Sequence, residues 1–131
     1  MTSIYIGKDD KGHLKIGMTT NHPREREKSA KFRIAYYAYT KDKYELNQSE
    51  LLLAESVLRY RMNLFYRNVK TDWFIDNSRY NWKEIFTDAV KDINEKFAFH
   101  LFPCELRSDE DLERAIDLMD MTKYLEKWIK E

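Results

Sequence analysis

The N-terminal segment constrains the fold most. Ser3-Ile4-Tyr5-Ile6-Gly7 is a short run of β-favouring residues closed by glycine, Asp9-Asp10-Lys11-Gly12 is a turn cluster, and a second short run extends from His13 to Gly17. Together they read as a β-hairpin, which commits the start of the chain to an antiparallel sheet. Thr19-Thr20-Asn21-His22 then offers capping residues before Pro23, which suits the first turn of a charged helix running to about Phe32. Ile34-Ala35-Tyr36-Tyr37-Ala38-Tyr39-Thr40 is aromatic and β-favouring and reads as the central strand.

The helical period takes over next. From Asn47 or Ser49 to about Tyr66, Leu53, Ala54, Val57, Leu58, Arg61, Leu64 and Phe65 keep an i, i+3/i+4 stripe, while Glu55, Arg59 and Asn63 lie on the opposite edge. Thr71-Asp72-Trp73-Phe74-Ile75 is a short extended segment ended by Asp76-Asn77-Ser78. Two more amphipathic helices are predicted, about Trp82 to His100 and about Asp109 to Lys130, separated by Pro103. The order ββα-β-α-β-α-α implies an α+β fold: a small three-stranded antiparallel sheet flanked by helices in residues 1–78, and a helical C-terminal extension, 79–131, packed on it as one compact unit.

Bulk properties exclude several classes. A chain of 131 residues, 43% hydrophobic and 35% charged with three Gly and two Pro, is sized for one core and is neither collagen-like nor mostly disordered. Its single cysteine, Cys104, rules out an intramolecular disulfide and a Cys-based zinc finger, and is expected to be a buried, inert thiol. The opening MTSIYIGKDDKGHLKIG has no apolar signal-like core and no segment is apolar enough to span a membrane, so a cytoplasmic setting, in a bacterial host or phage-infected cell, is expected.

Charge is balanced overall but not along the chain. Twenty-three basic residues meet 23 acidic ones, yet residues 1–43 carry ten Lys/Arg against five acids, whereas 105–131 carry nine acids against five bases. A polyanion would dock at the basic front end and be repelled by the tail. Glu105, Asp109, Glu110, Asp111 and Glu113 read either as the ordinary acidic bias of a helix start or as a face that covers the basic site or engages a basic partner.

Ser3-Ile4-Tyr5, then Lys15-Ile16-Gly17, Met18-Thr19-Thr20, Arg26 within Pro23-Arg24-Glu25-Arg26, Glu55 within Ala54-Glu55-Ser56-Val57-Leu58, and the pair Trp73-Phe74 follow one another in order and spacing. In this the chain resembles the GIY-YIG nuclease superfamily, and most of all its short phage and bacterial branch, described as Orf172-like DNA-binding domains. The likeness covers about residues 3–76. Ser3 stands where the first motif usually has Gly, and Lys15 where the second usually has Tyr.

The resemblance implies a metal-dependent endonuclease that hydrolyses DNA, or RNA, phosphodiesters. In that reading Tyr5 is the general base, Lys15 supplies positive charge that lowers its pKa, Arg26 contacts the scissile phosphate, and Glu55 holds Mg²⁺ or Mn²⁺. The residue types suit these roles. A guanidinium offers a planar, permanently charged fork for phosphate, a carboxylate is the hard donor Mg²⁺ prefers, and a phenol with a pKa of about 10 needs nearby cations to act as a base at neutral pH. His22, four residues before Arg26, is a second phosphate contact or proton carrier, and Glu50 is the alternative ligand if the alignment slips by a turn. Lys8, Lys11, Arg24, Lys28, Lys31 and Arg33 are the candidate nucleic-acid contacts. Two other readings stay open: a DNA-binding module that keeps the fold without cleaving, and a phage or mobile-element interaction factor that engages a host protein through residues 105–131.

Overall fold

The structure, a computed structural model, describes residues 2–20, 22–28, 32–77 and 79–105. Its elements are β1 (Ser3–Lys8), β2 (His13–Thr19), α1 (Pro23–Lys28), β3 (Arg33–Tyr39), a single 3-10 turn (Asp42–Tyr44), α2 (Gln48–Phe65), β4 (Arg67–Lys70), β5 (Trp73–Ile75), α3 (Trp82–Phe97) and β6 (Phe102–Glu105). The fold is α+β. The expected three-stranded sheet is corrected to six antiparallel strands in the order β4-β5-β2-β1-β3-β6.

The hairpin forms where the turn chemistry places it. The Asp9 carboxylate accepts the backbone N–H groups of Lys11 (2.9 Å) and His13 (2.8 Å), and Gly12 adopts φ +79°, a conformation that glycine enters without steric cost. These hydrogen bonds outweigh the burial that would raise it, and they hold Asp9 below its ordinary pKa. β1 is the middle of the sheet, pairing Tyr5 with Gly17 on one side and with Tyr37 on the other.

One face of the sheet carries the main core. Ile4, Ile6, Leu14, Ile16, Ala38 and Phe74 from the strands meet Leu51, Ala54, Leu58 and Met62 of α2 and Ile85, Phe86, Ala89, Val90 and Ile93 of α3. α2 starts with a reciprocal cap: Asn47 Oδ1 accepts the Glu50 N–H at 2.9 Å and Glu50 Oε1 accepts the Asn47 N–H at 3.0 Å. Residues 82–105 belong to this core. Asn94 grips both backbone groups of Leu101 at 3.0 Å, turning the chain from α3 into β6.

Pro103 follows α3 within a strand rather than in a loop. It sits in β6, an edge strand, the place in a sheet where proline is tolerated. The helix expected over Asp109 to Lys130, with the acids Asp109, Glu110, Asp111 and Glu113, lies outside the described residues. Cys104 is partly exposed rather than buried, because an edge strand covers only one flank of its side chain.

Candidate active site

Strand alternation decides which residues leave the main core. With Ile4 and Ile6 turned toward α2 and α3, Ser3, Tyr5 and Gly7 face the other side of the sheet. There Tyr5, 1% exposed, joins Phe32 and Ile34 in a small second cluster against Tyr37 and Trp73, its ring stacked on Phe32 at 5.8 Å between centroids. A Cβ on Gly17 would fall 2.3 Å from Tyr5 Oη and 2.4 Å from Cζ. No side chain fits there, so the glycine of Lys15-Ile16-Gly17 is a space requirement of the tyrosine ring, which lies flat on β2.

Arg26 of α1 donates from Nε to Tyr5 Oη at 3.4 Å. On α2, Glu55 and Arg59 are one turn apart and share a face, and Arg59 Nη2 lies 2.6 Å from Glu55 Oε1. The same guanidinium reaches Asp72, with Nη2 at 2.5 Å and Nε at 3.1 Å from Oδ1, and Lys15 Nζ lies 3.5 Å from Asp72 Oδ2. The result is a chain of alternating charge, Glu55, Arg59, Asp72, Lys15. Arg26, Glu55 and Asp72 thus act on the phenol of Tyr5, while Lys15 and Arg59 pair with the carboxylates.

Asp72 is delivered by the β4–β5 turn. The Ile16 N–H donates to its carbonyl at 3.0 Å, and Asn68 Nδ2 donates to the carbonyls of Thr71 (3.0 Å) and Trp73 (3.1 Å). Thr71 holds φ +43°, a left-handed conformation that a β-branched residue rarely adopts. The turn is strained and pinned at the point where it presents Asp72.

The electrostatics correct one expectation. The Tyr5 pKa is raised, not lowered: burial is the main cause, Glu55 and Asp72 act in the same direction, and Arg26 opposes by hydrogen bond and charge. Lys15 is committed to Asp72 and to the Trp73 ring, 5.6 Å from its centroid, so Arg26 is the cation that favours phenolate. Glu55 is 7% exposed, and its pKa is raised by burial and then by Asp72, against the pull of Arg59 and Lys15. Its second oxygen has no hydrogen-bond partner among the described residues.

No protein-family model, curated protein or solved structure matches this chain. The site rests on its own geometry.

That geometry brings Tyr5, Lys15, Arg26 and Glu55 together and leaves the other candidates apart. His22 is exposed, its ring 6.2 Å from that of Tyr37. Lys8 bonds Asp76 at 3.4 Å and lies over the Trp82 ring at the start of α3, on the helix-covered side. Lys11 is exposed in the hairpin turn and Arg33 is exposed at the start of β3. Lys31 and the side chains of Arg24 and Lys28 lie outside what the structure describes. Glu50 is engaged in the α2 cap, so of the two candidate glutamates Glu55 is the one at the site.

Two residues join the site without having been assigned a role from sequence, Arg59 and Asp72. The i, i+4 spacing from Glu55 on a predicted helix was a usable signal for Arg59. Asp72 had none, since its place depends on the β4–β5 turn. Ser3 also stands out: its hydroxyl is shut from solvent and is the buried side-chain polar atom without a partner among the described residues.

Proposed function

We propose that this chain is a metal-dependent endonuclease of GIY-YIG type that hydrolyses phosphodiesters in DNA. The observation that carries the reading is the convergence on Tyr5 Oη: it lies on Gly17, accepts a hydrogen bond from Arg26, and feels the charges of Glu55 and Asp72. A motif that carried no site would have no need to bring residues from α1, α2, β2 and the β4–β5 turn to one phenol.

In this reading Arg26, which is exposed and meets the Tyr5 hydroxyl through Nε, is the guanidinium that engages the scissile phosphate. Tyr5 takes a proton from the attacking water at Oη as its phenolate, formed when the phenol gives up its own proton to solvent. Its raised pKa makes it a neutral phenol at rest, so the proton transfer depends on cations that offset Glu55 and Asp72. Arg59 and Lys15 hold Asp72 in place and keep the two carboxylates from acting as an uncompensated pair.

Glu55 is the residue that would hold Mg²⁺ or Mn²⁺. Its second carboxylate oxygen is a hard donor without a hydrogen-bond partner among the described residues. That donor set fits a hydrated ion bound through one carboxylate and the substrate phosphate. When bound, such an ion would neutralise charge on the phosphoryl oxygens and acidify coordinated water. The test is conversion of supercoiled plasmid to nicked circles by the full chain with Mn²⁺ or Mg²⁺. Cleavage that EDTA abolishes supports the reading, and none under any divalent ion overturns it.

A further inference from the structure

The sheet face that carries Tyr5 continues past it as a row of rings. In register, Gly17, Tyr5, Tyr37 and Cys104 lie side by side across β2, β1, β3 and β6, and Thr19, Ser3, Tyr39 and Phe102 form the adjacent rung. His22 packs on Tyr37 at 6.2 Å between centroids, Tyr37 on Tyr39 at 5.9 Å, and Tyr39 on Phe102 at 5.9 Å. The row leads from the neighbour of the candidate nucleophile-activating phenol to the edge of the sheet. There Phe102 is 45% exposed and Lys41 lies 5.4 Å from its ring centroid.

Tyr37 packs against the small cluster of Tyr5, Phe32 and Ile34, whereas Tyr39 and Phe102 belong to neither core cluster. The main core lies on the opposite face, where Tyr36 packs on Phe86. Rings that are partly open to solvent, spaced regularly along a sheet, with the cation of Lys41 at the outer end, match one ligand chemistry: unpaired bases on a polyanionic backbone. A duplex hides its base faces in the stack and has nothing to offer the row.

We propose that the Tyr37–Tyr39–Phe102 row is a stacking platform for a single-stranded segment of nucleic acid leading to or from the phosphodiester at Tyr5. The proposal deepens the endonuclease reading and rests on it for the direction of the strand. It makes the substrate a nucleic acid with unpaired nucleotides next to the cut, such as a single strand, flap or junction.

The test is fluorescence anisotropy on the full chain in EDTA at low salt, with labelled oligothymidylate and a blunt duplex of equal length. The single strand should bind at least roughly tenfold tighter than the duplex, and Phe102→Ala should weaken it about 5- to 100-fold, with Phe102→Trp restoring it. Lys41→Ala should reduce the affinity and flatten its salt dependence. Equal or tighter binding of the duplex, wild-type affinity in Phe102→Ala, or no binding of either oligonucleotide would overturn it. Because no metal is present, the result separates cleanly from cleavage. Cleavage in Mn²⁺ without stacking removes the platform and keeps the enzyme; stacking with no cleavage of plasmid, single strand or flap in Mn²⁺ does the reverse.

Discussion

The phenol of Tyr5 lies directly on the α-carbon of Gly17, its cross-strand partner, so that the two residues occupy a volume neither could share with a methyl group. One motif supplies the ring and the other supplies the space for it. Gly17→Ala should therefore force the ring away from Arg26 and Glu55. We expect a stability loss of about 1–3 kcal/mol by urea denaturation, as for other overpacked interiors. Nicking should fall at least about tenfold, since misplacing a reacting group by a fraction of its radius is costly.

Burial sets the titration of Tyr5, and Arg26 is what restrains it. Removing that cation in Arg26→Gln should move the Tyr5 phenolate to still higher pH, read as the difference in ultraviolet titration between each protein and its Tyr5→Phe counterpart. The sign for stability follows. With its folded pKa above the unfolded value of about 10, Tyr5 contributes stability that is full below that value and is lost as pH rises through the folded one. Tyr5→Phe should thus resist alkaline unfolding better than wild type.

Glu55 has the same sign in the acid range. Burial and Asp72 raise its pKa, so the folded chain favours the protonated form. Its contribution is complete below the unfolded carboxyl value and disappears as pH rises through the folded value. Glu55→Gln, a neutral mimic, should gain in urea midpoint over wild type as pH rises from the acid range to neutrality. A residue whose removal lowers activity while relieving a stability cost at neutral pH behaves as a site residue, not a structural one.

The orphaned hydroxyl of Ser3 gives a simpler prediction. Ser3→Ala replaces a buried oxygen without a partner by hydrogen and should stabilise the fold by about 1–2 kcal/mol in urea denaturation. Unchanged stability would mean that water or another group satisfies the hydroxyl in solution.

Strain in the β4–β5 turn is equally accessible. Asparagine tolerates the left-handed conformation that Thr71 holds, so Thr71→Asn should raise stability by roughly 1 kcal/mol and keep Asp72 on Arg59. Equilibrium unfolding compared with wild type measures the first, and retained nicking the second.

Much of the frame was legible in sequence because local signals coincide with it. The hairpin announces itself by Asp9 and Gly12 and α2 by its stripe and by Asn47 with Glu50, while Tyr5, Lys15, Arg26 and Glu55 are singled out by the motif resemblance alone. What escaped lacks such signals. β4, Arg67–Lys70, is exposed throughout and so has no apolar alternation, and β6 contains Pro103, which reads as a break until the strand is known to lie at an edge. Asp72 entered the site through a long-range contact with Ile16 that no local pattern encodes. The direction of the Tyr5 shift depended on burial by Phe32 and on which partner Lys15 chose, and both are properties of the folded chain.

The central claim is that Tyr5 and Glu55 perform chemistry on a phosphodiester. Its most direct test is the rate of plasmid nicking in Mn²⁺ by wild type, Tyr5→Phe and Glu55→Gln, each verified as folded by circular dichroism. Loss of the phenolic oxygen or of the carboxylate charge should each lower the rate by about 10²-fold or more, the range for a proton-transfer group or a preorganised charge. Nicking by all three proteins at the same rate would contradict the account, because the cleavage would then come from somewhere other than this site.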